Sequence, residues 1–344
     1  MPTWSGLLQE LVPLMQALQR GQTPVGVPAG VHPCDHIRRR YLATLHAQTG
    51  RNVILYASKW TQAGVEPELI SITIEDLQGF MEVVHGLTGS DLDLILHSPG
   101  GSPEATAALV SYVRSKFDNV RVFVPHAAMS AATMLACSGN GVGMGKHSFL
   151  GPIDPQFIIQ TELGRVAVAA AAIQEQFEMA KAEILKSPSL LPVWLPILRQ
   201  YGPDLLIRCQ LAQKLSESLV ETWLTQYMFG GAQKAKAKAI AKKLASHATF
   251  MSHNRFIDRS EVKALGLNVI DLEADQALQD NVLSVFHAAT HTFNMTPTVK
   301  IIENHLGKAF LKMGQQVLTM GMGLQPPMGP VTIPQPPQPP SGPH

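Results

Sequence analysis

A serine hydroxyl becomes a useful nucleophile where it is exposed, where backbone N–H groups stand ready for a developing oxyanion, and where a base can take its proton. Three segments of the chain carry such parts. In Pro125-His126-Ala127-Ala128-Met129-Ser130-Ala131-Ala132-Thr133, a serine stands among small residues, after a strand-like run and at the start of a helix-like one. A helix start leaves N–H groups unpaired and carries the positive dipole end, which suits an oxyanion. The same position also suits an ordinary helix N-cap, so Ser130 has two readings at this point. In Leu96-His97-Ser98-Pro99-Gly100-Gly101-Ser102, two glycines follow a strand-like run; they let the backbone turn sharply and present N–H groups to a ligand. In Ser148-Phe149-Leu150-Gly151-Pro152-Ile153-Asp154-Pro155-Gln156, prolines restrict a turn that carries the carboxylate Asp154.

The elements that must position these residues follow from apolar patterning. Residues 52–57, 92–97 and 120–125 are short apolar runs with strand character. Between them a helix presents Ala105, Ala108, Leu109, Tyr112 and Val113 on one face, and a small-residue helix continues from Ser130 towards Ser138. Strands alternating with helices of this length predict βαβ units and a mostly parallel sheet. Leu7, Leu8, Leu11, Leu14, Met15 and Leu18 recur at helical spacing, so residues 1–47 read as a helical N-terminal extension. From Gly164 to about His247 the pattern is mainly helical, with Lys234, Lys236, Lys238, Lys242 and Lys243 on a solvated face. A short helix, a stop at Gly266 and a strand follow. Residues 48–290 form the expected main domain, 291–324 a C-terminal helical segment and 325–344 a disordered proline-rich tail. Nine of the 25 prolines lie in those last twenty residues, where polyproline geometry prevents packing into a core.

The motifs carry a resemblance. Leu94-Ile-Leu-His-Ser-Pro-Gly-Gly101, Val124-Pro-His-Ala-Ala-Met-Ser130 and Leu150-Gly-Pro-Ile-Asp-Pro-Gln156 together resemble the serine dehydrogenase proteinase family, relatives of signal peptide peptidase A within the ClpP/crotonase-like superfold. Ser252-His-Asn-Arg-Phe-Ile and Glu261-Val-Lys-Ala-Leu-Gly-Leu-Asn-Val resemble that family's late helix–strand unit. The resemblance spans roughly 50–272 and implies an α/β fold with a mostly parallel sheet of ββα units, flanked here by helical extensions. It implies a serine peptidase that needs no cofactor and no metal, that takes a peptide or protein substrate, and that assembles as a homo-oligomer. Ser130 maps onto the family's nucleophile, and Gly100, Gly101 and Ala131 onto its oxyanion and substrate-binding backbone. Ala131-Ala132 stand where the family commonly has two glycines, and a small side chain there keeps the backbone N–H available.

The base stays open between several residues. Relatives use either Ser-His-Asp or a Ser-Lys dyad. The stretch where Clp proteases carry their histidine holds Pro152 and Asp154 instead. Lys181 lies 51 residues after Ser130, a separation similar to that of the lysine in single-unit signal peptide peptidases, and its apolar neighbours could desolvate it. His147 and His253 are the alternatives, Asp154 could orient the base or brace a turn, and His126 could line the site.

Composition narrows the function classes. The chain has 344 residues, with 27 Lys+Arg against 26 Asp+Glu, so no global positive charge collects phosphate and nucleic-acid binding is disfavoured. Only 15% of residues are charged, which hints at faces covered by sister subunits. Three scattered cysteines form no metal or disulfide pattern, and His32, Cys34, Asp35 and His36 are too close together for four ligands to converge on a metal. No apolar run is long enough for an integral membrane segment and no signal peptide is visible, so a cytoplasmic protein is expected. Two competitors to the peptidase are a crotonase-type acyl-CoA enzyme and an inactive scaffold or interaction protein that uses the tail.

Overall fold

A computed structural model describes residues 3–161 and 164–314; the tail expected over 325–344 lies outside these residues. The fold is α/β. Seven strands form its main sheet, in the order Val269–Asp271, Gly141–Met144, Asn119–Val124, Asp91–His97, Asn52–Ser58, Thr298–Asn304, Ala309–Met313. The first five run parallel; the last two pair antiparallel. Asn52–Ser58 is buried along its whole length. Its unbroken Val-Ile-Leu-Tyr-Ala run, without alternation, is the signature of a strand covered on both faces.

Helices cover both faces. On one, Asp76–Val84, Pro103–Arg114 and Ala131–Cys137 pack with Leu94, Leu96, Val122 and Val124. On the other, Trp4–Gln19, Pro33–Thr49 and Gln276–Met295 pack with Val53, Leu55, Ile95 and Phe123. The N-terminal helices thus complete the second layer of the sandwich. His32 caps the second of them, its Nδ1 accepting from the Cys34 N–H at 3.2 Å, and Asp35 pairs with Arg38 at 2.8 Å. Cys34, Cys137 and Cys209 are free and buried.

Two segments differ from the expectation. Of the helical segment expected over 291–324, the part up to 314 is instead the end of the helix Gln276–Met295 followed by the strands Thr298–Asn304 and Ala309–Met313, and 315–324 lie outside the described residues. Thr-Val-Lys-Ile-Ile is β-branched and suits a pleated surface, and this hairpin covers the edge that Asn52–Ser58 would otherwise expose. The helical reading from Gly164 also begins late, because Gly164–Ala169 pairs antiparallel with Gln156–Thr161. That hairpin and the helices Ala170–Lys186, Leu191–Leu198 and Leu205–Trp223 form an arm around a small core of Ala170, Ile173, Leu205 and Cys209.

A second, three-stranded sheet bears on the site. Ala127–Ala128 runs parallel to Phe149–Leu150, which pairs antiparallel with Ile257–Asp258. Each strand is only two residues long, and each adjoins one of the segments carrying Ser130, Asp154 or His253.

Candidate active site

Ser130 joins the strand Ala127–Ala128 to the helix Ala131–Cys137 with φ 51° and ψ −121°. These are the angles of the first central residue of a type II′ turn. The turn is closed by the Ala132 N–H donating to the Met129 carbonyl at 2.8 Å. Holding an L-residue there costs about 1–3 kcal/mol, and such strain clusters at functional positions. The Ser130 side chain makes no capping hydrogen bond. The ordinary N-cap reading, which needs an extended backbone and an accepting side chain, therefore does not describe it.

The glycine loop is fixed by contacts on both sides. Ser98 forms a parallel bridge to Ala128, with the Met129 N–H donating to the Ser98 carbonyl at 2.9 Å. A Cβ on Gly100 would stand 2.6 Å from the Met129 carbonyl oxygen and 2.8 Å from the Ala131 nitrogen. Only glycine lets the loop lie this close to the Ser130 turn. The Gly100 N–H is committed to Ser98 Oγ at 3.2 Å, so Gly100 contributes close approach rather than a free donor. Gly101 bridges to Ile72 through its neighbours: the Ile72 N–H donates to Gly100 O at 2.7 Å, and the Ser102 N–H to Ile72 O at 3.0 Å. That pattern turns Gly101's own N–H away from Ile72.

Gly101, Ser130 and His253 line one cavity of about 200 Å³, together with Met134, Ile153 and Phe157. Behind it, His253 Nδ1 lies 2.8 Å from Asp154 Oδ1. Asp154 is buried, its side chain 1% exposed. The small sheet explains this meeting. It holds the two segments side by side: Leu150, four residues before Asp154, pairs antiparallel with Ile257, four residues after His253. Thr133 ties the Asp154 turn to the Ser130 turn, its Oγ1 donating to Ala128 O at 2.8 Å and accepting from the Gly151 N–H at 2.9 Å.

The structure does not bring Lys181 to Ser130. The helix Ala170–Lys186 buries Ala170, Ile173 and Ala180. Lys181, about 100° further round the helix than Ala180, is 56% exposed and pairs with Glu178 at 3.3 Å. The apolar neighbours that could have desolvated it include Met179 and Leu185, themselves exposed.

His126 and His147 fall elsewhere too. His126 packs against His97 (5.4 Å between ring centroids) and Phe286 (6.0 Å), on the sheet face opposite the helix that follows Ser130. Burial and then the nearby His147 lower its pKa. His147 is exposed. Burial, followed by the effect of His126, pushes His97 down to about 3.

Three partners at the site carry no sequence signal of their own. His247 Nδ1 lies 2.9 Å from Asp154 Oδ2, Gln156 Nε2 donates to the same oxygen at 3.2 Å, and Thr133 is the staple just described. His247 and Asp154 are 93 residues apart, beyond any local pattern. Among the described residues, no group of three or more His, Cys, Asp or Glu is placed to hold a metal ion, and no helix is long and apolar enough to cross a membrane.

Residues 34–185 match the sequence model of a family described as ClpP-like SDH-type serine proteinase. Two uncharacterized proteins of Methanocaldococcus jannaschii are similar. MJ1495 is 29% identical over 237 residues, covering 67% of this chain and 71% of that protein. MJ0137 is 35% identical over 86 residues, covering 25% of this chain and 30% of that protein. Among solved structures, a serine-to-alanine mutant of the 1510-N membrane-bound stomatin-specific protease is 14% identical, with a TM-score of 0.35 over 58% of this chain and 74% of that one. A lysine-to-alanine mutant of the 1510-N protease in complex with a substrate peptide is also 14% identical, with a TM-score of 0.31 over 69% and 68%. The matched segment, 34–185, contains the glycine loop, the Ser130 turn and the Asp154 turn.

Proposed function

We propose that the chain is a serine peptidase that hydrolyses peptide bonds through an acyl-enzyme on Ser130, with His253 as base and Asp154 orienting it. The observation that carries this reading is the joint lining of one cavity by the strained Ser130 turn and by a histidine braced from behind by a buried carboxylate. A carboxylate only accepts hydrogen bonds, so His253 holds its proton on Nδ1 and leaves the Nε2 lone pair free. In the proposed reaction Ser130 Oγ attacks the scissile carbonyl carbon and its proton passes to His253 Nε2. The N–H groups of Gly101 and Ala131 receive the oxyanion. The imidazolium then protonates the leaving amine, and water, deprotonated by the same nitrogen, releases the acyl group.

A homo-oligomer and a cytoplasmic setting belong to the same proposal. The arm leaves Ile158, Leu185, Val193, Ile207 and Leu211 exposed, which supports covered faces in an assembly. Three free buried thiols are consistent with a reducing compartment. Light scattering of the purified chain reads the assembly directly.

A fluorophosphonate probe tests the chemistry. Labelling is expected at Ser130, lost in Ser130→Ala, and reduced by at least about a hundredfold in His253→Ala. Lys181→Ala is expected to label within about twofold of the parent, since an exposed ion pair contributes little. Undiminished labelling of Ser130→Ala sinks the nucleophile; undiminished labelling of His253→Ala with a large loss in Lys181→Ala would return the base to the lysine.

A further inference from the structure

Asp154 holds two imidazoles, one on each oxygen. His253 Nδ1 lies 2.8 Å from Oδ1 and His247 Nδ1 2.9 Å from Oδ2. Proton transfer at Ser130 needs the first; nothing in the peptidase reading uses the second. His247 is not among the residues lining the cavity that holds Ser130 and His253, so any influence it has on the reaction passes through the carboxylate.

We infer that His247 is a positioning residue for the peptidase site, fixing the plane of the Asp154 carboxylate so that His253 Nε2 is aimed at Ser130. The inference rests on the reading of Ser130, His253 and Asp154 given above. The torsion that turns a carboxylate about its own axis is broad and only weakly confined. A donor on one oxygen alone leaves that rotation free, and the histidine hydrogen-bonded to it drifts with it. Donors on both oxygens hold the plane. The remaining donor to Oδ2, Gln156 Nε2 at 3.2 Å, is long and would be the sole restraint without His247. Because the carboxylate accepts from both rings, both imidazoles are held in the Nδ1–H form.

The local fold is built to deliver His247 there. The helix Lys234–Leu244 ends by accepting the Ile153 N–H on the Leu244 carbonyl at 2.9 Å, which anchors the residue beside Asp154 to the segment that leads into His247. Ser246 caps the short turn His247–Phe250, accepting from the Thr249 N–H at 3.2 Å. Met251 then takes a left-handed conformation, φ 60°, with its N–H donating to the His247 carbonyl at 2.6 Å. That reversal sends the chain back so that His253 reaches the same carboxylate from its other side. Seven residues of chain, His247 to His253, therefore wrap Asp154 with a ring at each end.

The test is the rate of fluorophosphonate labelling at Ser130 as a function of probe concentration, which separates the maximal rate from the half-saturating concentration. His247→Ala is expected to lower the maximal rate about tenfold, in the range set by loss of one hydrogen bond to a charged group, while half-saturation stays within about twofold. His247→Asn, whose amide nitrogen can occupy the place of Nδ1, is expected to return the maximal rate to within about threefold of the parent. If His247→Ala does not fold, His247→Gln takes its place; its amide reaches the place of Nε2 rather than Nδ1, and slow labelling is expected. A folded His247→Ala or His247→Gln that labels at the parent rate overturns the inference, as does an equal loss in the Asn variant. A lowered melting temperature with no change in maximal rate reduces His247 to a structural role and also overturns it. A parent protein that is not labelled at Ser130 refutes the peptidase reading itself, and the inference falls with it.

Discussion

Gly101→Ala loads the glycine loop by an amount set by its contacts with Ile72. A Cβ at this position would stand 2.3 Å from the Ile72 carbonyl oxygen and 2.4 Å from the Ile72 nitrogen, with φ at 152°. Both neighbours are backbone, so no side chain can swing aside. Ordinary carbon–oxygen contact requires the loop and the Ile72 segment to separate by about 1 Å. Separation stretches the two hydrogen bonds that join them, Ile72 N–H to Gly100 O and Ser102 N–H to Ile72 O. At about 0.5–1.5 kcal/mol net for each bond, plus backbone strain of about 1 kcal/mol, the loss is about 2–4 kcal/mol. For a chain of this size that corresponds to a fall in melting temperature of about 3–6 °C. The consequence for activity is larger. The displaced N–H is one of the two proposed oxyanion donors, and losing one such donor costs about a hundredfold or more. Gly64→Ala is the control, since φ is +80° there and nothing lies within 4 Å of its Cβ, so it carries backbone strain without a clash. Melting by circular dichroism and fluorophosphonate labelling at Ser130 give the two readouts. A Gly101→Ala protein that melts with the Gly64→Ala control and labels at the parent rate would refute the argument that the Ile72 bridge sets the donor.

Thr133→Val keeps the shape but removes the hydroxyl that donates to Ala128 and accepts from Gly151; a loss of about 1–3 kcal/mol in urea unfolding is expected, with slower labelling as the Ser130 and Asp154 turns come apart. Stability should also fall with acid through His97, whose pKa burial and then His126 push from the ordinary 6.5 to about 3. Its unfolded form binds the proton that the folded form refuses, so its contribution is neutral above about pH 6.5 and costs about 1.4 kcal/mol per pH unit as pH falls from there towards 3. His97→Asn, which can keep the hydrogen bond from Nδ1 to Ala127 O, should flatten the slope of unfolding free energy between pH 6 and 4 by about that amount, and an unchanged slope would count against burial of a neutral ring.

The Ser130 turn and the glycine loop were legible because their backbone geometry is local. Gly100 and Gly101 sit in a contiguous motif whose residue types are required by positive φ and close backbone approach, and Ser130 sits in another whose small residues surround it. Three of the parallel strands, Asn52–Ser58, Asp91–His97 and Asn119–Val124, were legible for a similar reason: strands buried on both faces read as unbroken apolar runs. Lys181 illustrates where this stops. Its spacing from Ser130 and its apolar neighbours are sequence properties, but the face of the helix Ala170–Lys186 that is buried was decided by the arm's small core, and that core takes Ala180 and leaves Lys181 beside Glu178 in water. The strands at 298–304 and 309–313 were hidden because seven and five residues carry too little periodicity to outweigh a preceding helix. They become strands by pairing with the edge of Asn52–Ser58, with Lys300 buried against Asp76 at 2.9 Å.

By itself, then, the sequence determined which backbone could turn, where a hydroxyl would stand at a helix start, and that a parallel sheet would carry both. Only the tertiary structure decided what faces that hydroxyl. Asp154 and His253 lie 99 residues apart and are joined through strands of two residues each, too short to announce themselves. Their meeting depends on the pairing of those two strands, a property that neither segment contains alone. The same holds for His247, which reaches Asp154 from 93 residues away because the chain reverses at Met251.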